Sequence, residues 1–164
     1  MMKNFTEIIT ERCVLTHITC DEIKALRDIF NDPVTREFLP EIYPLVDSHN
    51  GISQFIKTFE HYFNCEDGIL LGVRFNGDII GFVAIIDMQQ MPSLFYAMHP
   101  NYRQCGYMFE ALDGVMCYLR NGGYCSRIST EIYKNNTTSL KLLGKLSFQL
   151  GHENLEKYWL HRDI

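Results

Sequence analysis

The residues best suited to chemistry lie in one stretch, Met98-His99-Pro100-Asn101-Tyr102-Arg103-Gln104-Cys105-Gly106-Tyr107-Met108-Phe109. An apolar run ends at His99-Pro100, a polar turn with one glycine follows, and helical spacing begins near Gly106. Where a strand passes into a helix through such a turn, unpaired backbone N–H groups and the positive end of the helix dipole converge, and that geometry suits a phosphate-like anion. Arg103 adds a fixed cation at the same mouth, and no Asp or Glu occurs from Met88 through Phe109 to oppose it. The residues alone equally suit an ordinary strand-to-helix turn with a solvated arginine, and both readings stand at this point.

Other reactive side chains are scattered. The six cysteines (Cys13, Cys20, Cys65, Cys105, Cys117, Cys125) include no C-x-x-C pair and accompany no export signal, so reduced, mostly buried thiols are expected. The six histidines show no metal-ligand spacing, and no metal is expected. Cys105 is a nucleophile by type, but no histidine adjoins it in sequence.

The elements that must position these residues follow from periodicity. Val14 and Thr16 suit a short strand, and Thr19 with Glu22 forms a capping-box pair before Ile23, Leu26, Ile29 and Phe30. Asn31-Asp32-Pro33 stops that helix, a turn runs through Phe38, and Pro40 and Pro44 bracket a loop. Ile52, Phe55, Ile56, Phe59, Tyr62 and Phe63 predict a second helix, with Ser48 or Asn50 as cap and Asp67-Gly68 as exit. Residues 69–75 and 79–86 are apolar and β-branched, and the Asn76-Gly77 between them predicts a type I′ hairpin. Strands at 94–98 and 127–132, helices at 106–120 and 138–146, and closing strands at 148–150 and 157–161 complete a β-α-α-β-β-β-α-β-α-β-β order. Asn121-Gly122-Gly123 suits a left-handed helix end.

Composition narrows the function class. The 164 residues suit one domain, 1–164, and the formal charge of −5 argues against a protein that coats nucleic acid. No apolar run reaches the ~18 residues of a membrane span, and the opening residues lack a signal-peptide pattern. A cytoplasmic chain without a membrane partner is expected. The charge is uneven: residues 1–67 carry net −6 and residues 68–164 net +1. Composition says nothing of whether the chain is a monomer or a homodimer.

The stretch from Arg103 resembles the pyrophosphate loop R/Q-x-x-G-x-G/A of the Gcn5-related N-acetyltransferases (GNAT), with Arg103, Gly106 and Met108 at the marked positions. Asn136-Thr137-Thr138-Ser139-Leu140-Lys141-Leu142-Leu143-Gly144-Lys145-Leu146-Ser147-Phe148 resembles N-x-x-S-[IL]-x-x-[LA]-x-K-x-G-F of the RimJ/RimL-like branch. Thr10-Glu11-Arg12-Cys13-Val14-Leu15 is similar to that branch's opening T-E-R-L-x-L, and Tyr158-Trp159-Leu160 to its last strand. The resemblance implies an α/β GNAT fold, a single mixed, mostly antiparallel, twisted sheet of about seven strands with helices on both faces. It implies transfer of an acetyl group from acetyl-CoA directly to a primary amine, such as a protein N-terminus. A small-molecule acetyltransferase for a polyamine, antibiotic or amino acid, and a non-catalytic acyl-CoA-binding module, are the alternatives.

The resemblance also implies roles. Tyr96, Ala97 and Met98 would hold the pantetheine along a strand edge, with a main-chain N–H polarising the thioester. Arg103, Gln104, Cys105, Gly106, Tyr107 and Met108 would hold the pyrophosphate. Asn136 would orient the thiol arm, its competing role being a helix cap. Ser139 would protonate the thiolate, its competing role being a first-turn serine bonded to backbone. Glu131, on the strand face opposite Ile128 and Ile132, would be the base through a water, its competing role a salt-bridged strand carboxylate. Glu37, Glu41, His49 and His61 are further residues for the acceptor side, and Tyr96 would orient the acceptor or fill the core. Met108 and Ser147 depart from the motifs; a methionine can turn into the core while its N–H remains available. Leu143 removes the tyrosine that other acetyltransferases use as acid. Because the acidic half would form the acceptor wall, the expected acceptor is cationic.

Overall fold

The structure, a computed structural model, describes residues 4–164. Its strands are β1 (Ile8–Ile9), β2 (Val14–His17), β3 (Ile69–Phe75), β4 (Asp78–Ile86), β5 (Ser93–Met98), β6 (Arg127–Tyr133), β7 (Gln149–Glu153) and β8 (Lys157–Asp163). They form one sheet in the order β1-β2-β3-β4-β5-β6-β8-β7. Every pairing is antiparallel except β5 with β6. Asn76 and Gly77 both take positive φ, 52° and 90°, so their turn follows the twist of β3 and β4 as the type I′ geometry requires. The eighth strand, one more than expected, is β1, whose two residues extend the edge beyond β2.

The helices are α1 (Ile23–Phe30), α2 (Pro33–Phe38), α3 (Tyr43–Val46), α4 (Gly51–Asn64), α5 (Tyr107–Gly122) and α6 (Thr137–Lys145). Strand alternation divides the core between the two sheet faces. On one face Phe82 and Ala84 of β4 pack with Leu26, Ile29 and Phe30 of α1 and Phe55, Ile56 and Phe59 of α4. On the other, Val83 and Ile85 pack with Ala111, Leu112, Val115 and Met116 of α5 and Leu143 of α6. Among the described residues no helix is long and apolar enough to cross a membrane.

Three local expectations change. The segment read as a turn and loop is helical: Asp32 accepts from the Thr35 N–H at 2.8 Å and Pro33 stands at the first helical position, so Asp-Pro ends α1 and starts α2. A single 3-10 turn, Pro40–Ile42, then leads into α3. Neither Ser48 nor Asn50 caps α4 by its side chain. Ser48 Oγ donates to the Leu45 carbonyl at 2.7 Å, and Asn50 sits at φ 58°. The chain turns so tightly there that a Cβ on Gly51 would lie 2.1 Å from the Leu45 oxygen. All six cysteines are free, but Cys65, Cys105 and Cys117 are exposed rather than buried.

Candidate active site

β5 and β6 touch at one register position, Ser93 opposite Ser129, with Ser129 N–H donating to the Pro92 carbonyl at 2.8 Å. Thr130 Oγ1 donates to the Leu94 carbonyl at 2.8 Å, and the strands then part. The His99 N–H donates to Ile80 of β4 at 2.8 Å, which fixes the alternation along β5. By that alternation the backbone groups of Leu94, Tyr96 and Met98 turn toward β6. Beyond Leu94 the edge of β5 therefore faces a cleft, while its pairing with β4 continues unbroken to Met98. Ala97 and Met98 send their side chains to opposite faces, into the two halves of the core. Between the parted strands lies a cavity of about 40 Å³, lined by Phe38, Leu39, Tyr96, Glu131, Tyr133 and Ser139 among others. The Tyr96 hydroxyl is buried there beside Ser139, and burial, which outweighs the opposing effect of the Ser139 side chain, pushes the phenol up to about 12.

At the end of β5 the chain makes a 3-10 turn, Pro100–Tyr102, and reaches α5 through Gln104 and Gly106, at φ 59° and 84°. Gly106 is the N-cap, has no side chain to close the helix end, and accepts only the Glu110 N–H. The N–H groups of Tyr107, Met108 and Phe109 thus lie in a first turn without intrahelical acceptors. Met108 turns its side chain into the core, 8% exposed, so its bulk leaves the helix end. Cys105 Sγ donates to the Arg103 carbonyl at 3.3 Å.

Arg103 does not stand as a free cation at this mouth. Its Nη2 lies 2.5 Å from Asp32 Oδ2 and 3.2 Å from Thr35 Oγ1, and its Nε donates to the Met98 carbonyl at 3.1 Å. The gap in acidic residues along the sequence hides this carboxylate, which arrives from α2. Burial would raise the Asp32 carboxyl, but hydrogen bonds from Arg103 and Thr35 outweigh it and hold it below its ordinary value. Arg103 therefore ties the end of β5 to α2.

Asn136 caps α6, its Oδ1 accepting the Ser139 N–H at 3.2 Å. That bond turns the first residues of α6 toward the cleft, where Asn136 and Ser139 both line the wall. Leu143 is fully buried. Glu131 lines the same wall, half exposed, with Lys157 Nζ 3.3 Å away. Lys157 also pairs with Glu41, to which Tyr133 Oη donates at 3.1 Å. Asn135 Nδ2 donates to Glu37 at 3.2 Å. Glu37 thus ties α2 to the turn after β6, and Glu41 ties the turn after α2 to β6 and β8 across the mouth. His49 and His61 are not among the cleft-lining residues; His61 Nε2 lies 3.8 Å from Cys65 Sγ on α4.

Lys157, Tyr133, Phe38 and Asp32 were not foreseen as site residues. Only Asp32 left a signal, the Asp-Pro helix start, because the others come from segments whose approach depends on the tertiary fold. Among the described residues no group of three or more metal-ligating side chains gathers.

A family model of the acetyltransferase (GNAT) domain matches residues 12–149. The chain is 27% identical over 151 residues to the uncharacterized N-acetyltransferase YoaA of Bacillus subtilis (strain 168), covering 88% of this chain and 84% of that protein. Its fold is similar to that of RimL, a ribosomal L7/L12 alpha-N-protein acetyltransferase solved with coenzyme A, at a TM-score of 0.85 and 12% identity, covering 96% and 98% of the two chains. It is also similar to Mycobacterium smegmatis RimJ in complex with CoA-disulfide, at a TM-score of 0.79 and 12% identity, covering 92% and 81%.

Proposed function

Because the chain belongs to the acetyltransferase (GNAT) family, we propose that it transfers the acetyl group of acetyl-CoA directly to a primary amine, with a protein N-terminal amine as the first class to test. The observation that carries this reading is the pairing of an open β5 edge with the uncapped N-terminus of α5. Backbone donors line both, and the residues present fit a long, phosphate-bearing thioester. The Tyr96 and Met98 backbone groups would hold the pantetheine arm, and the amides of residues 104–108 the pyrophosphate.

Acetyl-CoA supplies an activated acyl carbon, whose C–S bond breaks as the amine nitrogen forms its C–N bond. A β5 N–H facing the cleft, from Tyr96 or Met98, would stabilise the oxyanion. Ser139, on the opposite wall, would give its hydroxyl proton to the departing thiolate and take in return the proton that the new amide nitrogen loses, with Asn136 fixing the helix turn that carries it. Glu131 is the carboxylate within the cleft for taking the ammonium proton through a water, once Lys157 yields. Glu37, Glu41 and Glu131 gather at the mouth against the single Lys157, which supports an acceptor bearing positive charge. Titration of the purified chain with acetyl-CoA should give saturable binding, and free thiol should be released with an amine. S139A should lower kcat at least about 100-fold while leaving the acetyl-CoA Kd within about 2-fold. Unchanged kcat would remove Ser139 from the mechanism, and absent binding would remove the function.

A further inference from the structure

We infer that Arg12, arriving from the turn before β2, is the positioning cation of the loop that precedes α5, a role resting on the acetyl-CoA reading above. Its backbone N–H and Nε donate to the two oxygens of Glu110, at 2.6 and 2.7 Å. Its Nη1 donates to the Cys105 carbonyl at 3.0 Å, and its guanidinium lies 4.5 Å over the Tyr107 ring. Its Nη2 comes so near the helix start that a Cβ on Gly106 would lie 3.2 Å from it. Thr10 Oγ1 completes the cluster, donating to Glu110 at 2.6 Å.

These contacts combine two effects on one loop. Glu110, in the first turn of α5, is the nearest carboxylate in sequence to the open amides, and its charge alone would repel a phosphate group. Arg12 cancels that charge at hydrogen-bond distance. The second effect is mechanical: by holding the Cys105 carbonyl on one side, Arg12 fixes the peptide that leads into Gly106, so the amides beyond it stay convergent. Arg103, the cation of the loop's own sequence, is spent on Asp32, Thr35 and the Met98 carbonyl. The loop's electrostatic balance is therefore set from the turn before β2, 93 residues away from Cys105 in sequence.

Isothermal titration of acetyl-CoA into the wild-type chain and into R12A, R12Q, E110Q and R12A/E110Q tests this, with thermal unfolding run on each. R12A and R12Q should weaken binding at least about 10-fold, with kcat at saturating acetyl-CoA within about 2-fold of wild type. R12A/E110Q should recover at least about 3-fold of the loss, since removing the unmasked charge compensates for the missing cation. Removing both members of a partly buried pair can also restore the fold, so a merely structural brace would return Kd only together with the unfolding temperature, whereas relief of the unmasked charge returns Kd without it. If R12A and R12Q bind within 2-fold of wild type, or the double variant binds no tighter than R12A, Arg12 does not have this role. A wild-type chain that shows no saturable binding overturns the acetyl-CoA reading itself, and this role with it.

Discussion

The two sides of the cleft are built differently. On the wall made by β5 and the start of α5 the polar groups left open are backbone amides, and the charged side chains around them are already engaged: Arg103 with Asp32, Arg12 with Glu110. On the opposite side the groups at the mouth are side chains, Glu37, Glu41, Glu131, Tyr133 and Lys157, joined by exposed bonds across the gap. Backbone donors are invariant in chemistry and need only the right φ and ψ, so that wall suits a ligand that never changes. Exposed ion pairs are worth little individually and exchange readily, so the other wall can admit and select acceptors.

The contrast breaks most visibly at Gly106. Its φ of 84° strains any side chain, and a Cβ there would crowd Arg12 Nη2 at 3.2 Å. G106V should raise the acetyl-CoA Kd at least about 100-fold and lower stability by about 1–2 kcal/mol, measured by titration calorimetry and denaturant unfolding. If G106V binds within 10-fold of wild type, the α5 wall does not work through its backbone, and the distinction between the two sides fails.

The same contrast explains what the sequence made legible. A backbone site needs particular residues to reach its dihedral angles, and Gly106 after a strand announces such a turn; the Asn76-Gly77 hairpin was visible for the same reason. Met108 could be followed as well, since a flexible apolar side chain beside a core goes into it. The charged partners could not be read in this way. Asp32 and Arg103 lie 71 residues apart and Arg12 and Glu110 lie 98 apart, and local patterns carry no information about such meetings. The absence of acidic residues around Arg103 was true of the sequence and misleading about the space. Asn136 shows the remaining limit: it is a cap by geometry, and capping is also how it brings Ser139 to the cleft. Ser147 is a departure with a visible consequence, because it takes φ 62° where the similar motif has glycine.

Asp32 sits between the two walls, capping α2 on the side-chain wall while holding Arg103 on the loop side. Its carboxyl pKa is held below the ordinary value in the fold, so its contribution is fully present above the unfolded pKa of about 4 and is lost as pH falls through the folded value. D32N should therefore be less stable than wild type by about 1 kcal/mol at pH 7, and the gap should narrow as the pH is lowered below about 4. Denaturant unfolding across that range measures it. A gap that stays constant to pH 3 would mean that packing, rather than the charge on Asp32, joins the walls.

The smallest effect belongs to the exchangeable side, and its size is the point. Glu41 accepts from both Lys157 and Tyr133, and burial, which would raise its carboxyl, is outweighed by the hydrogen bond from Lys157, so the group is held below its ordinary value. E41Q leaves Lys157 with Glu131 as its remaining carboxylate and makes the mouth less negative. If this wall selects acceptors by charge, E41Q should raise KM for a dicationic amine about 3- to 5-fold, leave KM for a neutral primary amine unchanged, and leave the acetyl-CoA Kd unchanged. The difference should fade in about 0.5 M salt, because exposed charges are screened over a few ångströms there. An equal rise in KM for both amines would assign Glu41 to holding the α2 segment against β6 and β8. A rise in the acetyl-CoA Kd would show that the two walls are coupled through that segment.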